Sequence, residues 1–130
     1  MYTQTTRHIK ITVVPMYLAE QSDPVESHYV WAYTIQMENL GEETVQLINR
    51  YWHITDAAGG VQEVRGAGVV GEQPVIEPGD TFQYTSGAAL TTPSGIMAGH
   101  YEMITDAGES FVVEIPAFSL DSPEQVQRPN

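Results

Sequence analysis

The motif with the clearest chemical meaning is a glycine-rich segment, residues 66–71, which reads G-x-G-x-x-G and follows Arg65. In dinucleotide-binding folds such glycines let the backbone approach a pyrophosphate at the N-terminus of a helix. Pro74 and Pro78 follow too closely for such a helix to begin, so the sequence argues against a Rossmann site. Two interpretations stay open. One is a backbone nest that binds an anion weakly beside Arg65, and the other is a glycine-permissive bulge or tight connection between sheets.

The histidines and carboxylates supply metal-ligand types, but their spacing forms no recognisable site. His8, His28, His53 and His100 are dispersed, without an H-x-H pair, an H-E-x-x-H helix or a calcium loop. We therefore predict no specific metal site and no cofactor, and only weak divalent cation binding to the acidic surface. No serine lies in a G-x-S-x-G elbow. We assign no catalytic residues and predict that the chain is not an enzyme.

Aromatic residues form the third candidate feature. Residues 50–53 place rings on both faces of one strand, and Trp31 and Tyr33 share a face of another. Rings in such positions usually fill the space between two sheets. A ring that points outward beside Arg50 would instead mark a contact surface, because Trp, Tyr and Arg are enriched there. We take Arg50, Tyr51 and His53 as a candidate partner surface.

The elements that must position these residues are β-strands, since apolar residues recur at every second position. The clearest strand has its apolar residues at Tyr29, Trp31, Tyr33, Ile35 and Met37. Seven or more short strands, frequent turn signals and the lack of an amphipathic helix predict an all-β fold. Its architecture is predicted to be an antiparallel β-sandwich of immunoglobulin-like or fibronectin type III-like form, with a closed barrel as the alternative.

Three local irregularities are predicted within these strands. Pro15 is expected to end or bulge the first strand, because proline cannot donate to a ladder. The apolar phase slips near Asn49 and Arg50, which indicates a bulge. Tyr101 is expected to bond back to the loop before its strand, as the tyrosine corner of immunoglobulin-like folds does.

Composition excludes several classes of function. The chain has 130 residues, no cysteine, and 5 Lys and Arg against 17 Asp and Glu, giving a net charge of −12. That charge repels nucleic acid and anionic membranes, and the lack of cysteine excludes thiol chemistry and Cys-based zinc sites. The first residues do not resemble a secretory leader, so we expect a cytoplasmic protein. One domain is expected over residues 1–120, followed by a flexible tail over 121–130.

A series of segments, in order, resembles the bacterial ApaG family over nearly the whole chain. The matching segments are 31–35, 39–41, 45–47, 50–55, 66–74, 78–79, 84–87 and 99–103. The resemblance implies a fibronectin type III-like sandwich, in agreement with the strand pattern. It also implies links to cobalt tolerance and magnesium efflux, under the family's other name CorD, and a gene neighbourhood shared with a diadenosine tetraphosphate hydrolase. Related domains in eukaryotic F-box proteins and a DNA polymerase delta-interacting protein imply a protein-binding module.

Two hypotheses of function follow. The first is a non-enzymatic interaction domain that holds a protein partner through sheet edges, loops or exposed aromatic residues. The second is a sensor of pyrophosphate-containing nucleotides or divalent metal that acts through the glycine segment, although a net charge of −12 opposes a polyphosphate unless magnesium bridges the two. Either hypothesis is compatible with a homodimer formed by edge pairing. The candidate ligand or partner loop comprises Arg65, Gly66, Gly68 and Gly71.

Overall fold

Nine strands make up most of the computed structural model, which describes residues 1–123. They are β1 (Tyr2–Thr6), β2 (Ile9–Tyr17), β3 (Tyr29–Asn39), β4 (Val45–Asp56), β5 (Val61–Ala67), β6 (Val75–Ile76), β7 (Thr81–Leu90), β8 (Gly95–Thr105) and β9 (Ser110–Leu120). Two short 3-10 turns, Ala19–Gln21 and Pro24–Glu26, lie between β2 and β3. None of the described residues forms a helix long and apolar enough to cross a membrane.

The strands form two antiparallel sheets packed face to face. One sheet has the order β1-β2-β3-β7, and the other has the order β5-β4-β8-β9, with β6 also pairing with β4. The predicted antiparallel β-sandwich is therefore confirmed. A closed barrel, the alternative, does not form within residues 1–123, because β5 and β7 each end a sheet without pairing with one another.

The period-2 pattern puts one face of each central strand into a shared core. In β3, Tyr29, Trp31 and Tyr33 are buried while the residues between them are only partly covered, as the alternation predicts. The largest fully buried side chains come from both sheets and include Trp31, Tyr101, Phe118, Ile35, Met37 and Leu47.

The two lateral sides of the sandwich differ. On one side β1 and β2 pack against β9, and the rings of Tyr2 and Phe118 meet there at 6.1 Å between centroids. On the other side the edge strands β5 and β7 flank an opening between the sheets. The open side is where the candidate functional residues of β4 and β5 lie.

Two of the predicted irregularities can be judged from strand pairing. The bulge near Asn49 is confirmed, because the β4–β8 register shifts between Leu47 and Asn49. The prediction that Pro15 interrupts its strand is wrong, since β2 continues to Tyr17 and Pro15 lies opposite Tyr33 of β3. Pairing with β1 stops at Val13, so beyond that residue one side of β2 is a free edge. The N–H that Pro15 lacks is therefore not needed for a hydrogen bond between strands.

The chain stays anchored just past the predicted domain end at residue 120. The indole of Trp31 donates to the Asp121 carbonyl oxygen at 2.8 Å, and the hydroxyl of buried Ser122 donates to the Pro93 carbonyl oxygen at 2.6 Å. These bonds place the start of any tail beyond Ser122. The rest of the predicted tail, residues 124–130, lies outside the described residues, and its flexibility stays a prediction.

Candidate functional site

The glycine segment forms a tight hairpin turn at the end of β5. Val69 donates to the Glu72 carbonyl oxygen at 2.8 Å, and Glu72 donates back to Val69 at 2.9 Å. The two residues between them, Val70 and Gly71, have positive φ angles of 43° and 81°. Two such residues closed by reciprocal backbone bonds make a type I′ connection. No helix follows, so the dinucleotide-binding interpretation does not apply to this motif.

Each glycine of the motif meets a different constraint, either close approach of another group or a positive φ angle. Gly68 has a φ of +66°, and a Cβ there would overlap the Glu72 carbonyl oxygen. A Cβ on Gly66 would lie 2.9 Å from the guanidinium of Arg50. Gly71 has open space around it but a φ of +81°, which L-residues rarely adopt. These constraints support a tight, glycine-dependent connection, one of the two interpretations left open by the sequence.

Val70 is the unusual residue of the turn. A β-branched side chain at positive φ is a true outlier, since Asn, Asp or Gly normally occupies this place in a type I′ turn. Its neighbour Val69 is buried at 1% exposure, whereas Val70 is 54% exposed. Packing in the core therefore explains why residue 69 is a valine, but it does not explain the valine at position 70. Backbone strain of the kind found at Val70 is typical of functional sites.

Arg50 lies on the inner face of β4, where it braces the turn. Its Nη1 donates to the carbonyl oxygens of Ala67 at 3.0 Å and Gly68 at 2.9 Å. The predicted partner surface is divided by the strand, since the side chain of Arg50 lies on the opposite face of β4 from Tyr51 and His53, although Arg50 and Tyr51 also line one surface pocket. That these residues bind a partner stays a prediction. Residues two apart in a strand share a face, so Arg50 points inward and the other two point outward.

A cavity of about 440 Å³ opens between the sheets beside Arg50. The apolar part of its wall includes Trp52, Ile54, Val64 and Met97. Other lining residues are Tyr33, Arg50, Gln62, Val69, Val70, Gly71, Tyr84, Ser86, Gly87, Ala88 and Ala89. Thus the strained turn and the edges of both sheets meet at one opening.

Two tyrosines, Tyr33 and Tyr84, line this cavity, and a third, Tyr101, pairs with Tyr84. The hydroxyls of Tyr84 and Tyr101 are 2.7 Å apart, across the two sheets. The prediction that Tyr101 bonds back to its preceding loop is therefore wrong, because Tyr84 belongs to β7. Burial raises the pKa of both hydroxyls. Burial also raises the pKa of Tyr33, against smaller lowering effects of a hydrogen bond from Ser86 and the charge of Arg50.

The outer face of the same sheet carries a second cluster, around Tyr51. The guanidinium carbon of Arg65 lies 4.4 Å from the Tyr51 ring centroid, and the His100 ring stacks on the other side at 4.9 Å. Both Tyr51 and Arg65 donate to the Glu63 carboxylate, at 3.0 and 3.1 Å. Desolvation of the hydroxyl and its bond to Glu63 raise the pKa of Tyr51. His53 faces outward beside this cluster.

The described part of the chain contains no group of three or more His, Asp or Glu side chains that could hold a metal ion. The amides of Gly68 and Val69 in the glycine segment, and that of Glu72 directly after it, all donate to backbone oxygens. A phosphate nest needs such amides to be free. The sensor hypothesis therefore gains no support from these three amides.

Comparison with known proteins agrees with this fold. Residues 19–105 match the family model described as the ApaG domain. The chain belongs to the ApaG family. It is 62% identical over 130 residues to Protein ApaG of Rhodospirillum centenum, and 59% identical over 130 residues to Protein ApaG of Paramagnetospirillum magneticum, with 100% of both chains covered in each case.

A solved structure described under the name ApaA extends the agreement to three dimensions. The crystal structure of a Bordetella pertussis protein matches with a TM-score of 0.86 at 49% identity, covering 88% of this chain and 94% of that chain. The ApaG family names of the relatives state no enzymatic activity.

Sequence reasoning missed two parts of the site. His100 was treated as a dispersed histidine, yet it stacks on Tyr51 because β4 and β8 pair in register. The cavity beside Arg50 depends on how the two sheets face each other. The sequence does indicate one feature of the site. Successive residues of a strand point to opposite faces, so the alternation along residues 50–54 places Arg50 and Tyr51 on opposite faces of β4.

Proposed function

We propose that this ApaG-family chain is a non-enzymatic protein-binding module that engages an extended segment of its partner on the open side of the sandwich. One observation carries the proposal: Val70 combines a strained backbone with an exposed apolar side chain at the tip of the turn. A φ of this kind in a β-branched residue costs about 1 to 3 kcal/mol. Packing among the described residues does not explain it, so we assign the side chain to a contact with another protein.

The neighbouring strand supports this assignment. Every residue of β5 from Val61 to Arg65 is exposed, and the strand ends its sheet. An exposed edge offers unpaired backbone groups to an added strand, which is a common mode of peptide recognition. The opposite edges, β1 and β9, lie side by side and are less available.

The remaining candidate residues have distinct parts in this proposal. Gly66, Gly68 and Gly71 give the turn its shape, and Arg50 braces it from inside. Tyr51, His53 and Arg65 extend the contact onto the outer face next to β5, with the aromatic and arginine chemistry that interfaces favour. We place the interaction in the cytoplasm. The links to cobalt tolerance and magnesium efflux would then reflect the partner's role.

The test replaces Val70 with asparagine, which suits a type I′ turn. We expect Val70→Asn to raise the free energy of unfolding by about 1 kcal/mol and to reduce partner capture from cell extract about tenfold. The matched control is Val25→Asn, at a 92% exposed valine in the second 3-10 turn. Unchanged capture by a folded Val70→Asn protein would overturn the proposal. Self-association, measured by sedimentation, identifies a second copy as the partner.

A further inference from the structure

Arg50 has donors that form no hydrogen bond within residues 1–123. A guanidinium has five N–H donors, and both hydrogen bonds of Arg50 leave from Nη1 toward carbonyl oxygens of the turn. Within residues 1–123, no carboxylate lies within 4.0 Å of this guanidinium. The Nε and Nη2 donors form the edge that binds a carboxylate in two parallel hydrogen bonds. The Arg50 guanidinium is therefore a partly buried charge that lacks a counterion among the described residues. Such a charge is unfavourable unless a ligand supplies the counterion.

The cavity around this charge is electrostatically different from the rest of the molecule. None of the described residues that line it is Asp or Glu, although the chain carries 17 of them. Its polar groups other than Arg50 are neutral, namely Tyr33, Gln62, Tyr84 and Ser86. The wall also offers apolar surface from Trp52 and Val64. A single positive charge in a cavity of neutral polar groups and apolar side chains suits a single negative charge on an aliphatic stem.

We propose that this cavity receives a carboxylate of the partner's extended segment, which pairs with the Nε–Nη2 edge of Arg50. The proposal rests on the proposed function and names the chemistry of the partner. The aliphatic stem lies against Trp52 and Val64 while the main chain follows the edge of β5. A phosphate fits less well, because one guanidinium does not neutralise a dianion in a protein of net charge −12.

The test uses small probes in place of the unidentified partner. N-acetylglutamic acid α-amide carries one side-chain carboxylate, N-acetylglycine carries a chain-terminal one, and N-acetylglutamine amide is the neutral isostere. We expect saturable NMR shifts of the Arg50 Nε–H and Trp52 indole N–H signals with a carboxylate, with a Kd in the millimolar range. The neutral amide should leave both signals in place. The two carboxylates distinguish a side chain from a chain end, and inorganic phosphate tests the competing anion.

Variants locate the binding. Arg50→Gln removes the charge, and Ala88→Leu fills the cavity from β7 without altering Arg50; each should weaken carboxylate binding about tenfold or more. Arg7→Gln makes the same chemical change at a distant arginine that pairs with Glu109, and should leave the Kd unchanged. Gln83→Leu is the control for Ala88→Leu, at an exposed position of the same strand.

Three results would each overturn the inference. They are equal shifts with the neutral amide, shifts that phosphate causes but carboxylates do not, and carboxylate binding that Ala88→Leu leaves unchanged. The outcome is separable from that of the proposed function. Loss of partner capture in Val70→Asn without carboxylate binding would refute the inference alone. Carboxylate binding with capture unchanged in Val70→Asn would refute the proposed contact surface instead.

Discussion

Alanine substitutions at Gly68 and Gly71 separate backbone strain from steric overlap in the turn. Both residues have positive φ, and forcing an L-residue into that region costs about 1 to 2 kcal/mol. For Gly71→Ala this is the whole effect, because nothing lies within 4 Å of the added Cβ. Its predicted loss of unfolding free energy is therefore about 1 kcal/mol.

Gly68→Ala carries a further cost. The added Cβ overlaps the Glu72 carbonyl oxygen, so the bond from Val69 to that oxygen must lengthen or break. One backbone hydrogen bond contributes about 1 kcal/mol. The Gly68 carbonyl oxygen also accepts from Arg50 at 2.9 Å, and a hydrogen bond to a charged group contributes about 1.5 to 3 kcal/mol. Together with about 1 kcal/mol of strain, these losses give a total of about 4 kcal/mol for Gly68→Ala.

Urea denaturation followed by tryptophan fluorescence measures both values, with thermal midpoints as a second observable. A difference of about 3 kcal/mol corresponds to a gap of about 9 to 15 °C for a domain of this size. Equal destabilisation by the two substitutions would refute the reasoning, because the two sites share strain and differ only in the overlap. A Gly71→Ala protein less stable than Gly68→Ala would contradict the described turn geometry itself.

The remaining predictions concern the buried tyrosines and the glycine segment. Tyr84→Phe or Tyr101→Phe alone should lower the free energy of unfolding by about 1 to 3 kcal/mol, because each leaves a buried hydroxyl without its partner at 2.7 Å. The double variant should lose less than the sum of the two single losses. Additive losses in a double-mutant cycle would contradict the pairing. Since burial raises the pKa of both hydroxyls above the unfolded value of 10.0, their contribution to stability is complete below about pH 10 and is lost as the pH rises through the folded pKa. Absorbance titration should therefore show their ionisation only with unfolding, and normal titration in a folded chain would refute their burial. Pyrophosphate, with or without magnesium, should cause no saturable amide shifts over residues 65–73, and saturation confined there would restore the sensor hypothesis.

Local patterns determined the strands and their inner faces. The alternation from Tyr29 to Met37 predicts which residues enter the core, because successive side chains of any strand point to opposite faces. The phase slip near Asn49 predicts the bulge for the same reason. The glycine and proline spacing excludes a helix after residue 71 without reference to any distant contact.

Only the tertiary structure decided what these faces meet. Pro15 continues its strand because β1 ends its pairing at Val13, which is a property of a neighbouring strand. Tyr101 of β8 bonds to Tyr84 of β7 because the stacking of the two sheets places their hydroxyls together. The cavity beside Arg50 exists because β5 and β7, which belong to different sheets, both end their sheets on one side. Strand pairing and sheet stacking depend on other segments of the chain. The alternation of apolar and polar residues in a strand specifies its two faces, but it does not specify which strands lie beside or across from it.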